Sequence, residues 1–361
     1  MNISENQMKN LEEQLQELVK GIRELDAEAM QQAQQRLDSL TKPPGSLGHL
    51  ENLVKQLAGI QGTPWPKINK KAILLMAGDH GVVEEGVSAF PQEVTPQMVY
   101  NFLRGGAAIN VLARQAGAKV ICTDVGVAFP LEPADLMARR VANGTRNMAK
   151  GPAMTREEAL RALLTGAEVA REAIEEGFNL LATGDMGIGN TTPSSAIVAV
   201  FTGLDVKEVV GRGTGVNDQG LARKREIILK AIELNKPDAQ DPLDVLTKVG
   251  GLEIAAIAGS ILQAAYSRVP IVIDGFISTA GALIAAQLCP LATSYMIPSH
   301  GSVEPGHRHA LALLGFDPLL NLNMRLGEGT GAALAFYLVE AGIRILEEMA
   351  TFEEAGVSNA E

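Results

Sequence analysis

The stretch FNLLATGDMGIGNTTPSSAIVAV, residues 178–200, moves from a short β-rich run through a glycine turn to a helix start. FNLLATGD (178–185) is apolar and ends on an acid, and Gly184, Gly187 and Gly189 then turn the chain. Thr192 reads as the N-cap of the helix and Pro193 as its first position. A hydroxyl there accepts an otherwise unpaired amide, and proline lacks the N–H that a first turn leaves without a partner. A strand that feeds a helix through a tight turn is the repeating unit of a parallel sheet.

The same alternation recurs at AILLMA (72–77), AKVICTDVGV (118–127), VPIVIDG (269–275) and ATSYMIP (292–298), with helical patterns between them. Five or six such strands predict an α/β fold, a parallel sheet with helices on both faces. The runs end in GDHG (78–81), DVGV (124–127), GDMGIGNTT (184–192), DGFIST (274–279) and SHGS (299–302). Ligands bind outside the carboxyl ends of parallel strands, so these loops are expected to converge on one crevice.

Outside the sheet region, a helical leader is expected to about Ser39. TKPPGSLGHLENLVKQLAGIQG (41–62) reads as a Pro-Pro-Gly turn and a second helix, and TPWPK (63–67) as a hinge. GAAINVLARQAGAKV (106–120) and GAALAFYLVEAGIRI (331–345) look alike and are read as a shared helix-then-turn solution in preference to a true internal duplication, and TFEEAGVSNAE (351–361) as a frayed tail. The division expected is an N-terminal helical segment 1–66, packing with the C-terminal helix 330–361 as a small domain, and a large α/β catalytic domain 67–329.

A formal charge of −11 argues against nucleic acid, which needs a basic face to release counterions. Only Cys122 and Cys289 are present, both in apolar stretches, as expected of reduced core residues in a cytoplasmic protein. The Glu- and Gln-rich N-terminus is unlike a signal peptide. Apolar regions at 252–266 and 278–292 are interrupted by Glu253, Gln263, Gly281, Gln287 and Pro290, so no membrane span is expected.

Exposed amides, two hydroxyls and the positive end of a helix could make GDMGIGNTT a phosphate cradle, or the turn could serve tight packing alone. No G-x-x-x-x-G-K-[ST] run exists, and neither GRGTGV (211–216) nor GEGTGA (327–332) fits a dinucleotide fingerprint. Arg212 and Arg325 beside these turns could neutralise an anion or simply lie at the surface. His300, His307 and His309 with Glu304 invite a metal reading, but the spacing matches no helical zinc motif. They read better as loop-lining or substrate-contacting groups, as does His80. NLNMRLGEGTGAALA (321–335) places Glu328 between two glycines at a helix mouth.

In this order and with these gaps, TKPPGSLGHLE, AGDHGVVEEGVSAFPQEVTPQMV, RGGAAINVLA, GDMGIGNTTPSSA, GRGTG, DGFISTAGALIA, SHGSVEPGH and NMRLGEGTGAALA resemble the nicotinate-nucleotide:dimethylbenzimidazole phosphoribosyltransferase family, over about residues 40–345. The resemblance implies a Rossmann-like sheet with a small helical domain, a homodimer, and no metal or other cofactor. Its substrates would be nicotinate mononucleotide and 5,6-dimethylbenzimidazole, giving α-ribazole 5′-phosphate and nicotinate for the lower loop of cobalamin.

The resemblance makes Glu328 the catalytic base. It puts Phe90, Met98, Met186 and Leu326 around the acceptor base, although a methionine at helical spacing such as Met98 also fits plain core. The ribose and phosphate fall to Asp185, Gly187, Gly189, Asn190, Thr191, Thr192, Gly213, Lys224, Ser302 and Arg325. The chain departs from the family pattern at Asn321, where aspartate is frequent, and in its Gln-rich leader. The alternatives are the same transferase with another acceptor (adenine, another benzimidazole or a phenol) and a non-catalytic nucleotide-binding regulator.

Overall fold

The computed structural model describes residues 3–132, 136–213 and 215–358. In chain order the first elements are α1 (Ile3–Gly21), α2 (Ala27–Ser39), α3 (His49–Gln61), β1 (Lys71–Gly78), α4 (Val94–Leu103), α5 (Ala108–Gln115), β2 (Ala118–Gly126) and β3 (Met137–Ala138). There follow α6 (Arg156–Glu175), β4 (Leu180–Met186), α7 (Thr191–Thr202), α8 (Val206–Val209), α9 (Asp218–Asn235), α10 (Pro242–Val249) and α11 (Leu252–Tyr266). The chain continues with β5 (Ile271–Ile273), α12 (Phe276–Leu288), β6 (Met296–Pro298), α13 (Pro305–Leu314), α14 (Thr330–Glu348) and α15 (Phe352–Ala355).

The strands form one parallel sheet in the order β3-β2-β1-β4-β5-β6. The chain builds outward from β1 through β2 to β3, then returns to the other side of β1 with β4. The order therefore reverses between β1 and β4, the point where parallel sheets open a crevice.

Strand side chains alternate between two apolar cores, as a two-residue period requires. Ala72, Leu74 and Met76 join Leu181, Ile271, Ile273 and Met296 on the face covered by α6, α7 and α10 to α12. Ile73, Leu75 and Ala77 join Cys122, Leu180, Ala182, Val272 and Ile297 on the other, covered by α3, α4, α5 and α14. With both faces covered, the central strands read as unbroken apolar runs. The apolar stretch 252–266 is the helix α11, buried at the centre of the first core. Among the described residues no helix is long and apolar enough to cross a membrane.

Several local expectations are corrected. The leader is two helices, broken at 22–26, where Asp26 accepts the Ala29 amide at 2.9 Å and starts α2 afresh. Thr192 is not the N-cap: α7 begins at Thr191 with Asn190 flanking it, and Thr192 is buried within the first turn. In 292–298 only Met296–Pro298 is strand. The preceding residues form a 3-10 turn because Tyr295 is drawn inward and donates to the Arg23 carbonyl at 2.8 Å.

The likeness of 106–120 to 331–345 does not extend to conformation. The first turns into β2 at Gly117 (φ 64°), whereas α14 runs straight through Gly342, whose missing Cβ lets it pass close to the Leu50 carbonyl. The tail is held as far as it is described. Thr351 caps α15, and Arg36 binds the carbonyls of Leu346 and Met349 at 3.4 and 3.0 Å. Residues 359–361 and Thr214 of the GRGTG turn lie outside the described residues. Within 1–66, α1 sends Leu15 and Leu18 into the first core, while Leu37, Leu40 and Val54 form a separate small cluster with Leu346.

Candidate active site

At the reversal point the loops after β1 and β4 touch backbone to backbone. A Cβ on Gly187 would stand 2.2 Å from the Gly78 carbonyl oxygen, so only glycine fits there. The β2 loop joins through the Asp79 amide, 2.9 Å from the Gly126 carbonyl. The Thr95 hydroxyl accepts the Ile188 amide at 3.0 Å and ties α4 to the same turn. The ends of β5 and β6 meet where His300 Nε2 stands 3.8 Å from Asp274 Oδ1.

Over this junction lies Gly327-Glu328-Gly329, three consecutive residues with left-handed φ of 84°, 64° and 96°. For a glutamate this conformation costs about 1–2 kcal/mol, so the surroundings must impose it. They do so by close approach: the Glu328 carbonyl lies against Gly184 of β4, where a Cβ would be 2.7 Å away. The Glu328 side chain is buried, and Oε2 accepts the Ile109 amide from the start of α5 at 3.3 Å. Burial raises its pKa and Asp274 adds to the rise, against the Ile109 amide.

Asp185, next to the last residue of β4, lies beside this loop, since a Cβ on Gly327 would stand 3.1 Å from Asp185 Oδ2. Oδ2 accepts from Asn190 Nδ2 at 3.0 Å, while Oδ1 is buried without a partner. Burial, then the charges of Asp274 and Glu253, push Asp185 well above the ordinary aspartate range. Asn190 is thus spent on Asp185 instead of capping α7. Gly189 supplies the left-handed turn (φ 88°) before it.

A second group forms beyond the turn. Lys224, wholly buried on α9, donates to Thr191 Oγ1 at 2.5 Å, and burial brings its amine down to about 8 against the pull of Glu304. Glu304 Oε1 accepts the Gly213 amide at 2.9 Å, and Arg325 donates to the Gly213 carbonyl at 3.1 Å. Arg325 and Glu304 line a cavity of about 380 Å³ with Arg212 and Arg225. Thr192 Oγ1 is buried nearby in the chain without a partner. The Ser302 amide donates to His307 Nδ1 at 2.8 Å. His307 Nε2 therefore carries the proton toward Thr279, 2.9 Å away, and burial keeps the ring neutral with a pKa of about 3.

The four residues expected at the acceptor base separate into two pairs. Met98 and Met186 are half-buried and pack on the second core. Phe90 and Leu326 are 51% and 57% exposed and belong to neither core. Arg212 is spent on Asp218 and the Val216 carbonyl.

Sequence reasoning missed two groups. Asp274 was visible only as part of a loop, yet its carboxylate accepts the amides of Gly329 and Ala332, both at 3.0 Å. Glu253 registered only as an interruption of an apolar run, yet it bonds His80 at 2.9 Å with both groups buried. Burial alone would lower the pKa of His80, but the adjacent Glu253 carboxylate outweighs it and holds the imidazole above its usual value. A carboxylate inside an otherwise apolar helix was the available signal for Glu253.

A sequence profile described as Phosphoribosyltransferase matches residues 22–357. A protein of Desulforamulus reducens named nicotinate-nucleotide--dimethylbenzimidazole phosphoribosyltransferase is 58% identical over 346 residues, covering 95% of this chain and 99% of that one. A protein of the same name from Geobacter sulfurreducens is 58% identical over 348 residues, covering 96% and 99%. Among solved structures, CobT from Thermus thermophilus superposes with a TM-score of 0.88 at 52% identity, covering 92% of this chain and all of that one.

Proposed function

The chain belongs to the nicotinate-nucleotide:dimethylbenzimidazole phosphoribosyltransferase family, and from that premise we propose how its site carries out the transfer. The chain is a pentosyltransferase that moves the phosphoribosyl group of nicotinate mononucleotide to 5,6-dimethylbenzimidazole, releasing nicotinate and forming α-ribazole 5′-phosphate. The observation that carries the mechanism is a buried carboxylate, Glu328, held over the strand-order reversal.

The nicotinate ring of the donor is a pyridinium. When its bond to the anomeric carbon breaks, both electrons leave on the ring nitrogen, so the leaving group departs neutral and needs no general acid. The acceptor is different: one benzimidazole nitrogen attacks while the other must lose its proton, and Glu328 receives that proton as general base. As the anion, Glu328 also places negative charge where positive charge develops on the ribose, and in a dry site such charge acts strongly, with Asp185 beside the ribose.

The donor phosphate falls to the Gly187 to Thr192 turn at the start of α7, with Lys224, Gly213, Ser302 and Arg325. The acceptor ring packs on Met98 and Met186, with Phe90 and Leu326 at the rim, because sulfur and apolar edges suit a flat heterocycle. A homodimer, a cytoplasmic location and the small-domain grouping of the N-terminal helices with α14 complete the proposal. The free, buried state of Cys122 and Cys289 supports a reducing compartment.

The test is product identity when the enzyme, nicotinate mononucleotide and an equimolar mixture of dimethylbenzimidazole, adenine and phenol are incubated together. α-Ribazole 5′-phosphate is the expected main product. A purine product overturns the acceptor assignment, and donor binding without transfer to any base favours the regulator reading.

A pH profile follows from the burial of Glu328. A general base works as the anion, so kcat/KM falls as pH drops through its pKa, and a raised pKa places this loss above the ordinary glutamate range. An acidic limb at or below that range contradicts the assignment.

A further inference from the structure

We infer that Asp274 is a positioning residue for Glu328, fastening the glutamate's loop to the end of β5. The inference rests on the general-base reading of Glu328.

Helix α14 begins two residues after Glu328, and the residue between, at its N-cap, is Gly329, which has no side chain to accept first-turn amides. Asp274 supplies both acceptors from across the fold. Oδ2 takes the Gly329 amide and Oδ1 the Ala332 amide, each at 3.0 Å and from a position 55 and 58 residues away in sequence. A cap supplied by the neighbouring residue fixes a helix only relative to itself. A cap supplied from a strand end fixes it relative to the sheet.

Asp274 is itself anchored. It is buried, follows β5 directly, and donates its own amide to Thr183 Oγ1 in β4 at 3.0 Å. The His300 imidazole closes the other side, 3.8 Å from Oδ1 and packed against Gly331, where a Cβ would stand 1.9 Å from the ring. Gly327 is held to the same helix start, because its carbonyl accepts from the Thr330 amide at 3.1 Å and the Thr330 hydroxyl at 2.8 Å. Glu328 thus lies between two tethered glycines, and its left-handed backbone is sustained by contacts that begin at Asp274.

The test is steady-state kinetics of Asp274→Asn, Glu328→Gln and the double variant. Asparagine keeps the shape but turns an N–H toward one of the two helix amides. Alone, Asp274→Asn should lower kcat roughly 10- to 100-fold, the scale of displacing a reacting group by about 1 Å. The KM for nicotinate mononucleotide should move by less than about threefold, because the phosphate groups around Thr191, Lys224 and Gly213 make no contact with Asp274. In the Glu328→Gln background the same change should cost less than about twofold, because a residue acting through Glu328 has nothing left to position.

Losses that multiply in the double variant, or a raised KM with unchanged kcat, overturn the inference while leaving the base assignment intact. Full turnover in Glu328→Gln overturns the base assignment itself. Should Asp274→Asn not fold, hydrogen exchange on the unmodified enzyme decides. Slow exchange of the Gly329 and Ala332 amides is expected, and exchange at the rate of an open loop overturns the inference.

Discussion

Glu328→Gln is expected to reduce turnover by roughly 10²-fold or more while leaving the affinity for nicotinate mononucleotide nearly unchanged. The amide keeps the size and the contact to the Ile109 N–H, since its oxygen can still accept there, but it cannot take a proton from the acceptor base. Apart from Arg325, the groups proposed for the phosphate lie on other loops, around Thr191, Lys224 and Gly213, and the substitution does not reach them. Calorimetric titration of donor binding beside kcat separates the two effects. Equal losses in affinity and turnover would point to a collapsed loop, and unchanged turnover would remove Glu328 from the chemistry.

The largest stability effect is expected at the crossing of α6 and α11. Gly259 passes the Leu163 carbonyl so closely that a Cβ would stand 1.7 Å from the oxygen, and Gly166 passes the Ala256 carbonyl with 1.8 Å. The two backbones are in direct contact, and Ser260 Oγ crosses the gap to the Gly166 carbonyl at 3.0 Å. A backbone carbonyl inside a helix cannot swing aside as a side chain can, so Gly259→Val must separate the helices and open the first core. Overpacking of this kind costs at least about 3 kcal/mol, which should lower Tm by roughly 4 °C or more, or prevent folding. Gly151→Ala is the control, because its Cβ would meet nothing within 4 Å and its φ lies outside the left-handed range. Equal melting temperatures for the two variants would contradict the close crossing.

Legibility of the fold tracked the length of each segment. β1, β2 and β4 span 8, 9 and 7 residues and show as apolar runs. β3, with 2 residues, leaves no pattern in the sequence, and β5 and β6, with 3 each, are shorter than the apolar runs that contain them, because so few residues carry no period. The site followed the same rule. Glycine turns and Glu328 stand out because conformational demand and residue type are local. The His80 to Glu253 bond spans 173 positions and the Asp274 cap 55, and nothing in either neighbourhood specifies the partner.

The chain's own order of residues determined the alternation of strand and helix, the parallel sheet, the meeting of loops at its carboxyl ends and the membership of a family. These depend on backbone preference and side-chain periodicity, which act over a few residues. Only the tertiary structure decided which carboxylates are buried together, that Asn190 serves Asp185 instead of capping a helix, and that Asp274 holds the start of α14. Those outcomes depend on desolvation and on charges a few ångströms apart, and both exist only once distant segments have been packed against each other.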